Sequence, residues 1–80
     1  MRVEVKLPQW GMGMTDGTVI QWHRSLGDPV TEGEPLALIE AAKMSTELEA
    51  PESGVLTEIL VAPGATVEIY TTLAIIEAPD

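Results

Sequence analysis

Cysteine is absent from the 80 residues, and that absence removes disulfides, thiolate nucleophiles and cysteine-ligated metal sites together. No apolar stretch runs beyond a few residues, far short of the ~20 that cross a bilayer. The basic, apolar N-terminal pattern of an export signal is also missing, so the expectation is a cytoplasmic chain without membrane contact. Basic residues are scarce: Arg2, Lys6, Arg24 and Lys43 stand against thirteen acids, for a formal net charge of -9. A field of that sign repels phosphate backbones, which argues against nucleic acid, and either attracts basic protein surfaces or simply keeps a small domain soluble. A chain this short hides roughly 60% of its unfolded surface, enough for one small core and too little for a deep active-site cavity.

What the chain does contain is a repeat. Shifted by 37 residues, Asp16 to Ala41 aligns with Ser53 to Ala78 without a gap, matching Gly17 with Gly54, Gly27 with Gly64, Val30 with Val67, and Leu36-Ala37 and Ile39-Glu40-Ala41 with Leu73-Ala74 and Ile76-Glu77-Ala78. Two glycines and a whole apolar run in one register indicate a duplicated unit, and hence a quasi-twofold fold. Val3 to Pro8 resembles Thr46 to Pro51 at an offset of 43, so the first half carries six extra residues within Gln9 to Thr15. That insertion holds two glycines and two methionines and does not read as a regular strand.

Turn signals at Gly17, Gly27-Asp28-Pro29, Gly33-Glu34-Pro35, Pro51 to Gly54 and Pro63-Gly64 separate short runs such as Val19 to Trp22 and Val55 to Val61. Such spacing predicts an all-β sandwich or barrel. One segment disagrees: Leu36 to Ala50 is rich in Ala, Leu, Glu, Lys and Met, all strong helix formers. Its repeat partner, Thr71 to Glu77, is β-branched and too short for a typical helix. Duplicated units should share a structure, so the reading is strand, turn at Ala42-Lys43, strand. Val19, Trp22, Val30, Leu36, Ile39, Leu56, Ile59, Val67, Leu73 and Ile76 are the expected core. Lys43, at the junction of the halves, is expected on a hairpin tip at the end of the molecule opposite the termini. On base rates an exposed lysine there is only a solvated charge.

Along nearly the whole chain, however, Asp16-Gly-Thr18, Trp22, Gly27-Asp28-Pro29-Val30, Glu32 to Leu36, Ile39-Glu40, Lys43, Ala50-Pro51, Ser53-Gly-Val55 and Pro63-Gly64 resemble the biotinyl/lipoyl carrier domains. The resemblance implies a flattened sandwich of two four-stranded antiparallel sheets spanning residues 1–78, with 79–80 a tail or the start of a linker. It implies further that Lys43 carries the cofactor covalently on its ε-amine, and that the domain itself is not a catalyst. Glu40, Ala42, Met44, Gly27 and Gly54 would then form the turn read by the attaching enzyme.

The turn is a hybrid. Lipoyl domains usually have Asp-Lys-Ala and biotinyl domains Met-Lys-Met, whereas this chain has Ala42-Lys43-Met44. The inserted loop, with Trp10, Met12 and Met14, is similar to the first surface loop of lipoyl domains in 2-oxo acid and acetoin dehydrogenase acyltransferases. Lipoate is therefore the expected cofactor; biotin, in a carboxylase, and an unmodified interaction module are the alternatives. The implied partners are a lipoate-attaching enzyme, a thiamin-dependent dehydrogenase, an acyltransferase core and dihydrolipoamide dehydrogenase. Trp10, Met12 and Met14 are candidate docking contacts, although for the methionines the preferred reading is that they simply cap the core beneath the loop. The isolated domain is expected to be a monomer.

Overall fold

The computed structural model describes residues 1–80 as eight strands and no helix: β1 (Arg2–Lys6), β2 (Asp16–Trp22), β3 (Pro29–Val30), β4 (Pro35–Ala41), β5 (Met44–Glu49), β6 (Gly54–Ile59), β7 (Thr66–Glu68) and β8 (Thr72–Glu77). They form two four-stranded antiparallel sheets in the orders β1-β8-β6-β3 and β5-β4-β2-β7. The helix-prone stretch is thus the hairpin β4-β5. Tertiary packing overrides propensity here: Leu36, Ile39 and Leu48 are buried in the shared core while Glu40, Glu47 and Glu49 point to solvent. Each fully buried Leu or Ile contributes roughly 1.5–3 kcal/mol, more than the few tenths per residue that separate propensities.

The repeat is visible in the ladders. Thr18 pairs with Glu40 and Val55 with Glu77, and both ladders then slip at a β-bulge, after Val19 in one and after Leu56 in the other. Leu7 and Ala50 donate equivalent backbone bonds to Thr71 and Glu34. One feature was not expected from the repeat: each half gives two strands to each sheet, so neither half can close a core without the other. The core unites Val5, Leu7, Leu36, Ile39, Leu56, Leu73 and Ile76 between the sheets. Of the ten expected core positions, Trp22, Ile59 and Val67 are only partly buried and pack against its rim. Trp22 does so because its indole Nε1–H donates to the Val61 carbonyl at 2.8 Å, which holds the ring near the surface.

The repeat also exposes a strained residue. Gly33 and Tyr70 are equivalent, their amides donating to the carbonyls of Ala50 and Leu7, and both have positive φ, 87° and 69°. Glycine takes that conformation freely, whereas a tyrosine there costs roughly 1–2 kcal/mol. Since the Tyr70 side chain is exposed, Tyr70→Gly should raise stability by about 1 kcal/mol, seen as a higher denaturation midpoint at unchanged m-value.

The chain ends meet at one end of the molecule: the Met1 amine bonds the Ala78 carbonyl at 2.7 Å and the carboxylates of Glu77 and Asp80 at 2.9 and 2.8 Å, and these partners raise its pKa. The turn before β4 is tied by Glu34, which accepts from the Thr31 amide at 2.7 Å and from the Arg24 guanidinium. Those bonds, the Thr31 amide foremost, hold its pKa below the ordinary 4.5. A carboxylate lowered on folding stabilises above its unfolded pKa, and that contribution fades as pH falls through the lower folded value. The melting temperature should therefore drop more steeply below about pH 4.5 in the parent than in Glu34→Gln, a comparison that thermal melts across an acid pH series check.

Candidate functional site

Ala41 and Met44 close the β4-β5 ladder, leaving Ala42 and Lys43 as a two-residue turn with φ of 51° and 68°. Two successive positive φ values are the pattern of a type I′ hairpin, whose twist matches that of the strands it joins. Asn-Gly is the usual occupant, so Ala-Lys holds strain of roughly 1–2 kcal/mol per residue. The Lys43 side chain is exposed and takes part in no ion pair or hydrogen bond. Beneath it lie carboxylates: Glu40 is paired with Ser45 on one side and Thr18 on the other, and Asp16 sits directly opposite Glu68. The like charges of that last pair are unfavourable, and the adjoining Thr18 and Thr66 hydroxyls bond each other at 2.7 Å.

The inserted loop lies against this hairpin. Residues 7–15 form no strand; the loop is closed by Met14 N–H donating to Gly11 O at 3.2 Å and by Gln9 Nε2 donating to Met14 O at 3.1 Å. Met14 is 8% exposed and belongs to the core, and its sulfur accepts from the Trp10 amide at 3.4 Å. The docking expectation for Met14 is corrected accordingly: a buried thioether is the anchor of the loop, and only Trp10 and the fully exposed Met12 are offered to a partner. The alternative reading of the methionines, as caps on the core beneath the loop, holds for Met14.

Gly27 and Gly54 need a second correction. The Gly27 amide bonds Leu56 O, and Gly54 packs on Glu77 beside the chain termini, roughly 20 Å along the strands from the tip at 3.3 Å per residue. Neither belongs to the surface around Lys43. Of their repeat mates, Gly17 packs on Ile39 and Glu40 in the strand that leads to Lys43, while the Gly64 amide bonds Val19 O. Glu40, Ala42 and Met44 flank the lysine as expected. His23 is held by Glu47 at 2.8 Å and Gln21 at 3.2 Å, at the end of β2 away from the tip.

A duplicated two-sheet sandwich with an exposed, unbonded lysine at a hairpin tip has the form of a domain that carries a covalently attached group. A family model described as biotin-requiring enzyme, which spans biotinyl and lipoyl domains, matches residues 3–76. The chain belongs to that biotinyl/lipoyl family. It is similar, at 42% identity over 95% of its length, to the dihydrolipoyllysine-residue acetyltransferase component of the acetoin cleaving system of Bacillus subtilis, of which it covers 19%. It is 38% identical over its whole length to the corresponding pyruvate dehydrogenase complex component of Corynebacterium glutamicum, covering 12% of that protein. The chain thus spans under a fifth of the length of these relatives. The solution structure of the lipoyl domain of the Azotobacter vinelandii 2-oxoglutarate dehydrogenase complex matches with a TM-score of 0.78 and 31% identity, covering 98% of this chain and 99% of that one. A multi-domain long-chain acyl-CoA carboxylase shares the fold alone, with a TM-score of 0.77 at 24% identity over 99% of this chain and 7% of that one.

Proposed function

We propose that the chain is a lipoyl carrier domain, with lipoate joined as an amide to Nζ of Lys43. The observation that carries this reading is Lys43 on a two-residue hairpin tip, its amine bonded to nothing. An attaching enzyme supplies the lipoyl carboxyl in activated form; the Lys43 ammonium gives up one proton, its free amine attacks the acyl carbon as the activating group leaves with the bonding pair, and loss of a second proton leaves a neutral amide that keeps one N–H. The dithiolane then supplies the redox and acyl-carrying chemistry, and this chain's residues hold and present it. The β4-β5 ladder fixes the base of the arm, and the arm's tether keeps its end at on the order of millimolar effective concentration near each active site in reach.

Residues 1–78 act as one such module without catalysing a reaction themselves. The relatives serve acetoin cleavage and pyruvate and 2-oxoglutarate dehydrogenase complexes. The partners that follow are a lipoate-attaching enzyme, a thiamin-dependent dehydrogenase, an acyltransferase core and dihydrolipoamide dehydrogenase. Trp10 and Met12, with the acidic patch of Glu40, Asp16 and Glu68, are the docking surface beside the arm. Biotin is the less favoured cofactor, since the carboxylase likeness extends only to the fold.

Intact mass of the chain made in cells with active lipoate and biotin ligases tests the reading. A lipoyl increment located on Lys43 by fragmentation is expected. A biotinyl increment would transfer the domain to a carboxylase, and no increment at all would leave an unmodified module.

A further inference from the structure

The inserted loop and the hairpin enclose a groove of about 330 Å³. Trp10 and Met12 form one side, Ala41, Ala42 and Met44 the other, and Met14 closes the floor. The side chains around it are apolar except Thr46, and Trp10, Met12 and Met44 are 40%, 103% and 70% exposed. Exposed methionines and tryptophan on a domain of net charge -9 need an occupant that is itself apolar, at least part of the time. The tip residue missing from the wall is Lys43, which lies between two that form it. We infer that this groove is the resting place of the chain's own lipoyl arm, an inference that rests on the carrier reading above.

Three observations favour the arm over an outside partner. Acylation removes the lysine charge, so the group nearest the groove becomes neutral at the moment the apolar dithiolane and its methylene chain arrive. The arm is tethered at the groove's rim, and at on the order of millimolar effective concentration even a contact with a millimolar dissociation constant is about half occupied. The contacting chemistry also suits sulfur: thioether and ring-edge contacts of Met12, Met44 and Trp10 accept a disulfide ring readily. Ala42 and Met44 complete the apolar lining on the hairpin side. With aspartate at 42 a carboxylate would stand in the wall, and with alanine at 44 one side would be open.

The test compares the fully lipoylated domain, its occupancy verified by mass, with the unmodified domain and with Lys43→Gln, which reproduces the loss of charge without an arm. Methionine methyl and indole N–H resonances of Met12, Met44 and Trp10 are expected to move in the lipoylated domain alone, with dithiolane-to-Trp10 cross-relaxation. Ala42→Asp, lipoylated to completion, should lose at least half of the Trp10 and Met12 displacement, while aspartate tolerates the positive φ at that position. Shifts confined to residues 42–44, or the same in Lys43→Gln, would overturn the resting place and leave the carrier reading standing. Failure to lipoylate Lys43 at all would overturn both.

Discussion

Lys43→Arg is expected to abolish the adduct completely while leaving the thermal midpoint within about 1 °C of the parent, a change well under 0.5 kcal/mol for a domain of this size. Stability is spared because the side chain is exposed and unpaired, and because arginine meets the same backbone strain at φ 68° as lysine. Chemistry is lost because the guanidinium stays protonated and offers no acylable primary amine. The loss should be all or nothing, since only two other amines exist. The Met1 amine is occupied by Glu77, Asp80 and Ala78. Lys6 lies within β1, where its ladder position pairs it with Thr72, and no turn presents it. Intact mass and a circular dichroism melt on the same sample give both readouts. Adduct persisting on the variant would remove Lys43 as the site; a melt lowered by several degrees would show that the tip does structural work that its contacts do not reveal.

The hairpin illustrates how far sequence reasoning reaches. Leu36 to Ala50 is a helix by propensity and two strands in fact, and only the comparison with Thr71 to Glu77 could decide between them. The repeat succeeded because backbone pairing is copied with the register: the bulges after Val19 and Leu56 recur 37 residues apart. What a repeat cannot report is partnership. It does not say that the halves exchange strands between sheets, nor that Trp22, Ile59 and Val67 end on the rim, because burial depends on what packs from the other half.

The same distinction governs the site. Lys43, Glu40, Ala42 and Met44 are contiguous, so their neighbourhood was legible once the turn was placed. Gly27 and Gly54 lie sixteen residues before and eleven after Lys43 in sequence, yet Gly27 bonds Leu56 and Gly54 packs on Glu77, whereas Gly17, the repeat mate of Gly54, packs on Ile39 and Glu40 of the strand leading to the tip. Met14 and Met12 are alike by composition and opposite by burial, a difference fixed by the turn at Gly11 and invisible to a hydropathy pattern.

Gly17 and Gly54 are matched in the repeat but should respond very differently to a methyl group. A Cβ on Gly54 would overlap the Glu77 carbonyl oxygen and come within 2.7 Å of Ile76 Cγ2, whereas one on Gly17 meets Ile39 Cγ2 at 2.9 Å and Leu7 Cδ2 at 3.3 Å. Side-chain ends can swing by a few tenths of an ångström; a backbone carbonyl held in the β6-β8 ladder cannot without breaking it. Gly54→Ala should therefore cost about 3 kcal/mol and Gly17→Ala about 1 kcal/mol, bracketing the usual overpacking range. At 4–8 °C per kcal/mol for a small domain, these are losses of roughly 12–24 °C and 4–8 °C in melting temperature. The order should reverse for modification. Gly54 abuts the termini, so its folded variant at low temperature presents an undisturbed hairpin, while a methyl on Gly17 presses on Ile39 beside Glu40, in the strand that leads to Lys43. Initial rates of lipoylation, measured well below both melting temperatures, should fall about threefold for Gly17→Ala, the equivalent of about 0.65 kcal/mol, and hold at the parental value for Gly54→Ala. Equal melting losses would show that the two halves relax alike despite their different neighbours. A slowed Gly54→Ala would show that strain crosses the length of the sandwich, and that the hairpin is less rigid a handle than its ladders suggest.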